Sequence, residues 1–148
     1  TGGYLLFLVN SMNAKASILD WQANKIRRVV RSSLAAEALS LIEGLEAAVL
    51  INNILQELLG LTVAVHAVVD NKSVVDAVLS TTSVDDKRLR RDISSIKEML
   101  EHGEVTTVNW VPGFKQLADV LTKRGVNGSK LLEVIQTGKI DLDVINEI

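Results

Sequence analysis

Val105-Thr106-Thr107-Val108-Asn109-Trp110-Val111-Pro112-Gly113-Phe114-Lys115-Gln116-Leu117-Ala118-Asp119-Val120-Leu121-Thr122-Lys123 reads as a strand, a breaker and a helix. The first part alternates with the period of a half-buried strand, and Pro112-Gly113 ends it. The helix that follows carries Asp119 early in its course, where a sheet edge would meet it. Two more acids, Glu37 and Asp70, stand at comparable junctions far away in the chain.

Upstream of this stretch, Leu61 to Val69 is nearly all apolar and rich in β-branched residues. Such a run suits a strand covered on both faces, as in the middle of a parallel-type sheet. It ends at Asp70-Asn71, and Lys72 to Leu79 then takes up helical spacing. An acid at the carboxyl end of a central strand sits where α/β sheets keep their sites. Earlier still, Ser32 or Ser33 suits the N-cap of a long helix that runs to about Leu59 and stops at Gly60. At about 100° per residue, Glu37 shares a side with Leu41, Leu45, Ala48 and Leu55. Glu43, Glu46 and Glu57 fall on the far side, so Glu37 is the acid directed at the core or at a cleft beside it.

Tyr4–Val9 and the Ala16–Val30 region, the latter crossing the polar Gln22-Ala23-Asn24-Lys25, read as two antiparallel strands. Ser80 to Asp86 is a polar connection, and Lys87 to His102 a helix that Gly103 ends. After Lys123 come a Gly125–Gly128 break, a short helix from Ser129 to about Gln136, and a tail to Ile148. The order ββ-α-β-α-α-β-α places the chain in the α/β class. Residues 1–124 form one domain on this reading, followed by a C-terminal helical tail, 125–148.

Composition narrows the function. The 148 residues are 47% hydrophobic, enough for one domain with a real core, and the net charge is only −2. Bulk charge therefore does not drive nucleic-acid binding, although a local basic patch still can. Aromatics make up 3%, too few for rows of stacking residues. The absence of cysteine excludes disulfides, thiolate zinc sites and cysteine nucleophiles. Glu43, Glu46, Asn52 and Asn53 interrupt the longest apolar runs, so no membrane span is expected. The start at Thr1-Gly2-Gly3, without a methionine, reads as part of something longer.

Three carboxylates at strand and helix ends have two readings. They could bind Mg²⁺ or Mn²⁺ through oxygen, and two such ions roughly 3.5–4 Å apart serve phosphodiester hydrolysis. Alternatively, Glu37 is a partly buried acid with a backbone partner, Asp70 caps the helix after it, and Asp119 favours the positive end of its own helix.

Ser32-Ser33-Leu34-Ala35-Ala36-Glu37-Ala38, Val69-Asp70-Asn71-Lys72-Ser73 and Gln116-Leu117-Ala118-Asp119-Val120-Leu121-Thr122-Lys123 occur in this order. Together they resemble the ribonuclease H domain of copia-type retrotransposon polyproteins, and Gly3-Tyr4 and Trp21-Gln22 fit the same family. The likeness runs from Thr1 to about Lys123. It implies a ribonuclease H-like fold, a mixed sheet with helices on both faces. It also implies an endonuclease that cuts the RNA strand of RNA/DNA hybrids with two Mg²⁺ or Mn²⁺ ions. Glu37, Asp70 and Asp119 match three of the family's four metal-binding acids. The fourth lies on a first, central strand upstream of the segment matched by Gly3-Tyr4, and this chain starts after it. Without that strand, Tyr4–Val9 and Leu61–Val69 are expected to lack their shared neighbour.

The resemblance further implies partners, namely the hybrid and the rest of the polyprotein with its reverse transcriptase. It implies a cytoplasmic setting within virus-like particles, and no membrane. The alternatives are a catalytically inactive remnant that binds nucleic acid or a polyprotein neighbour, and a protein-interaction module built on the Ser33–Leu59 helix. Arg27, Arg28, Lys87 and Arg88 are candidates for phosphate contacts, since A-form-like duplexes are read through backbone shape. They could equally form a solvated face with Asp85, Asp86 and Asp92. Asn71 and Gln116, beside matched acids, could donate to substrate or serve only as turn and helix-end residues. His66 and His102 are expected to be structural, Trp21 and Trp110 to be core or strand-face residues, and Asp20 lies outside the motif order.

Overall fold

The computed structural model describes residues 1–27, 31–141 and 143. Strands β1 (Gly2–Asn10) and β2 (Lys15–Asn24) pair antiparallel from Gly2↔Asn24 to Asn10↔Lys15. Asn10 and Asn13 close the turn between them, their side chains accepting from the backbone N–H groups of Met12 and Lys15. Helix α1 (Ser33–Leu59) starts where Ser32 Oγ accepts from the Ala35 N–H. It stops because Gly60 turns to φ 65°, a left-handed conformation in which its N–H reaches back to Gln56 O.

The strand expected over Leu61–Val69 is shorter: β3 spans His66–Val69. Asn52 of α1 explains the difference. Its amide donates to Val63 O at 2.8 Å and accepts from Val63 N at 3.1 Å, so Val63's backbone groups bond to the helix side chain rather than to a strand. β3 pairs in parallel with β4 (Thr107–Trp110), register His66↔Thr107 to Val69↔Trp110. Helices α2 (Lys72–Leu79) and α3 (Lys87–Glu101) lie between these strands in sequence. A 3₁₀ turn (Gly113–Lys115), α4 (Asp119–Thr122) and α5 (Ser129–Thr137) complete the chain.

The architecture is mixed α/β, with two two-stranded sheets, β1-β2 and β3-β4, that are not hydrogen-bonded to each other among the described residues. β2 ends at Asn24, short of the expected extension; Arg28, Val29 and Val30 lie outside the described residues. The main core is built by α1, β3, α2, α3 and β4, with Val74, Ile96, Val105 and Val108 almost wholly enclosed. The hairpin stands outside that core and leans on α1, where Gly44 admits Tyr4. At β2, α5 packs on the hairpin with Val134 buried, and Ala16 N donates to Gly138 O at 2.8 Å. No helix among the described residues is long and apolar enough to cross a membrane.

Gly3 sets how closely α4 approaches the hairpin. A Cβ there would meet Gln22 O at 2.6 Å and Thr122 Cγ2 at 2.9 Å. Gly3→Ala is therefore expected to cost about 1–3 kcal/mol by overpacking, read as a fall in urea midpoint. Gly44→Ala is the comparison. Its Cβ would meet Tyr4 at 3.1 Å, and about 1 kcal/mol of helix propensity offsets that crowding. Its midpoint should stay close to that of the parent.

Candidate functional site

Asp70 follows directly on β3, and the parallel register puts Trp110 beside it. The Trp110 indole N–H donates to Asp70 O at 3.1 Å, fixing the backbone that carries the carboxylate. The cap of α2 is Asn71, not Asp70: Asn71 Oδ1 accepts from Val74 N. The capping role considered for Asp70 is thus filled by its neighbour, and the Asp70 carboxylate is turned elsewhere.

It is turned toward Asp119, the first residue of α4. Lys123 Nζ donates to Asp119 Oδ2 at 2.8 Å and to Asp70 Oδ2 at 3.2 Å. The loop that brings Asp119 there is held by Gln116, whose Nε2 donates to Val68 O at 3.0 Å, and whose Oε1 accepts from Ala118 N. A Cβ at Gly113 would stand at ordinary contact distances, 3.7 Å from Asp70 Oδ2 and 4.0 Å from Asp119 Oδ2, so the backbone passes near both carboxylates.

Glu37, one turn into α1, lines the same cleft as Asp70 and Asp119, together with Gly2, Gly3 and Gln116. Three separated segments therefore deliver their acids to one place. Burial, and next the charge of Asp70, hold the Glu37 carboxyl above its ordinary range; Lys123 pulls the other way and Asp119 adds to the rise. The hydrogen bond to Asp119 is the main cause holding the Lys123 ammonium above its ordinary value, although desolvation opposes it.

An acid whose folded value is raised costs stability only where it is ionised. The cost is absent below the ordinary Glu range, grows as pH rises through it, and is complete above the raised value. Glu37→Gln should therefore raise Tm at pH 7 by roughly 1–3 °C, after discounting for solvent screening. At about pH 3, where the carboxyl is protonated in both states, the two melting curves should coincide.

Hard oxygen donors suit Mg²⁺ or Mn²⁺, and Asp70 and Asp119 already converge on one cation, the ammonium of Lys123. Two carboxylates are a partial donor set for such an ion. Among the described residues, however, no group of three His, Cys, Asp or Glu side chains is set closely enough to hold a metal ion together. Glu37 borders the pair without joining it in such a group.

The other candidates fall into two sets. Gln116 sits in the cleft but spends its amide on positioning the loop, and Asn71 spends its side chain on the α2 cap. Arg27, Lys87 and Arg88 are exposed and do not line the cleft, and Arg28 lies outside the described residues. Asp86 caps α3 by accepting from Arg88 N and Leu89 N; these bonds, with Arg31 and Arg88 nearby, hold its carboxyl below the usual range. Asp20 accepts from Tyr4 OH at 2.9 Å in the hairpin, away from the cluster. His66 Nδ1 bonds Thr107 Oγ1 at 2.8 Å at the opposite end of β3 from Asp70, and His102 caps α3.

Trp21 and Trp110 both lie on strands and are exposed, as is Phe114 next to Gly113. The residue that sequence reasoning passed over is Lys123. Its signal was present as the i,i+4 spacing from Asp119 within the quoted motif, but spacing does not disclose the second carboxylate. Comparison of the chain with protein-family models, curated proteins and solved structures finds no match.

Proposed function

We propose that the chain is a ribonuclease H-like domain of a copia-type retrotransposon polyprotein, an endonuclease for the RNA strand of RNA/DNA hybrids. The observation that carries this reading is the meeting of Glu37, Asp70 and Asp119 in one cleft, two of them sharing a cation. Their motifs are those on which the resemblance rests. The separation of β1 from β3 supports it too, because a central strand with the fourth acid would join the two sheets.

Mg²⁺ or Mn²⁺ at the cluster would supply an activated water and stabilise charge at the leaving oxygen. Asp70 and Asp119 would hold the cation, with Glu37 beside them. Gln116 and Trp110 keep the two ligands in place through the loop and the strand end. Exposed Trp110 and Phe114 offer faces to sugars and bases at the rim of the cluster. Arg27, Arg28, Lys87 and Arg88 would meet phosphates farther along the duplex. The setting that goes with this reading is cytoplasmic, in virus-like particles, beside the reverse transcriptase of the same polyprotein.

The test is hybrid cleavage with Mg²⁺ by three proteins: this chain, a chain extended upstream through the first strand, and Asp70→Asn in the extended chain. Cleavage that survives Asp70→Asn would sink the assignment. A second reading, an inactive remnant docked on a polyprotein neighbour, is favoured by one feature. Leu50, Ile54 and Leu58 form an i,i+4,i+8 stripe on α1 that is 60%, 45% and 77% exposed. That reading expects hybrid binding, where any occurs, to be indifferent to Mg²⁺.

A further inference from the structure

Lys123 does more than pair with its helix neighbour. An i,i+4 pair such as Asp119–Lys123 is common on helices and, where fully exposed, is worth about 0.3–0.5 kcal/mol. Such a pair does not account for the second acceptor, Asp70, which lies 53 residues away in sequence and 3.2 Å away in space. The Asp70 and Asp119 side chains are only 16% and 14% exposed, whereas that of Lys123 is 51% exposed. Glu37 adds a third carboxylate to the same cleft. Without a cation the three would repel one another across partly dry space.

The three partners also differ in freedom. Asp70 is fixed by the Trp110 bond to its backbone, and the Asp119 loop by Gln116. Lys123 is the C-cap of α4, its backbone N–H bonded to Asp119 O at 2.9 Å, and its charge rides on a flexible four-carbon stem. The ammonium can therefore leave for solvent while the backbone stays in place.

We propose that Lys123 is a resident cation that holds Asp70 and Asp119 at cation-binding spacing and gives way when a divalent ion binds. The inference rests on the metal-site reading above and makes Lys123 a positioning residue for it. Its consequence is opposite in sign to that of an ordinary supporting residue: removing Lys123 should improve metal binding.

The experiment is calorimetric titration of Mn²⁺ and Mg²⁺ into the 148-residue chain and into Lys123→Met, with melting curves at pH 7. Lys123→Met is expected to bind at least tenfold more tightly, about 1.4 kcal/mol. Metal-free, it should melt below the parent, and saturating Mg²⁺ should close that gap. Lys123→Gln serves as the second neutral variant should the first fail to fold. In the parent chain, the Lys123 Cε–H NMR signals should shift on metal addition while those of Lys130 stay. Equal or weaker binding by the neutral variants, or an unmoved Lys123 signal at saturation, overturns displacement and leaves the metal site standing. An absence of binding in every protein removes the metal site itself, and this inference with it.

Discussion

Asp70→Asn, made in the chain extended through the first strand, is expected to lower Mg²⁺-dependent hybrid cleavage on the order of 10³-fold or more. Loss on that scale follows when a group acting at the reacting centre is removed rather than one that binds substrate uniformly. The substitution is nearly isosteric, which separates chemistry from folding. The indole of Trp110 still donates to the backbone of residue 70, and Asn71 still caps α2. An amide oxygen can still accept from Lys123. What disappears is one negative charge, the part a hard divalent ion requires. Removing it relieves Glu37, whose carboxyl Asp70 helps push upward, and weakens the pair with Lys123, so the two effects oppose and the variant should melt close to the parent at pH 7. An inactive but equally stable protein is therefore the expected pair of results from cleavage gels and calorimetry. An inactive protein that has also unfolded would say nothing for the ligand role, and Asp119→Asn would then be read in its place.

The parts of this molecule that could be read ahead are those whose cause is local. Ser32 and Gly60 bracket α1 because one supplies an oxygen for an orphan N–H and the other accepts positive φ. Glu37 faces the cleft because of helical phase, while Glu43, Glu46 and Glu57 are exposed as that phase requires. The meeting of Glu37, Asp70 and Asp119 was implied by the resemblance their motifs carry, their positions alone leaving it open, and all three line the cleft. What could not be read ahead has its cause elsewhere in the chain. The length of β3 is set by Asn52, 11 residues before its partner Val63. Trp110 is exposed at the end of β4, with its indole N–H on Asp70 O, a matter of tertiary placement rather than of strand periodicity. Lys123 is a helix-surface lysine by every local criterion, and only the fold gives it a second acid.

Ile96→Ala is expected to cost about 2–5 kcal/mol, the range for emptying a well-packed core position. Small domains hold about 5–15 kcal/mol in total, so the change consumes a large share. Ile96 has no exposed surface and is the largest of the fully buried side chains. It continues the face of α3 made by Leu89 and Ile93, and that face meets the core formed with α1, α2, β3 and β4. Val69 and Val108 belong to the same core, and Asp70 is the residue after Val69. A cavity there opens against α1 and α2, the helices α3 packs on, within the core that also holds Val69 and Val108. Hydrogen exchange should consequently show lost protection first in α3 and in the α1 and α2 segments packed on it. The hairpin, outside the core, should be affected less at the same denaturant concentration. Ile96→Val, which removes a single methylene, should cost about 0.5–1.5 kcal/mol and leave the cluster in register. A cost below about 1 kcal/mol for Ile96→Ala would mean that the weight of the fold rests elsewhere, on the hairpin and α5. Asp70 and Asp119 would then owe their meeting to Lys123 and Gln116 more than to the body beneath them.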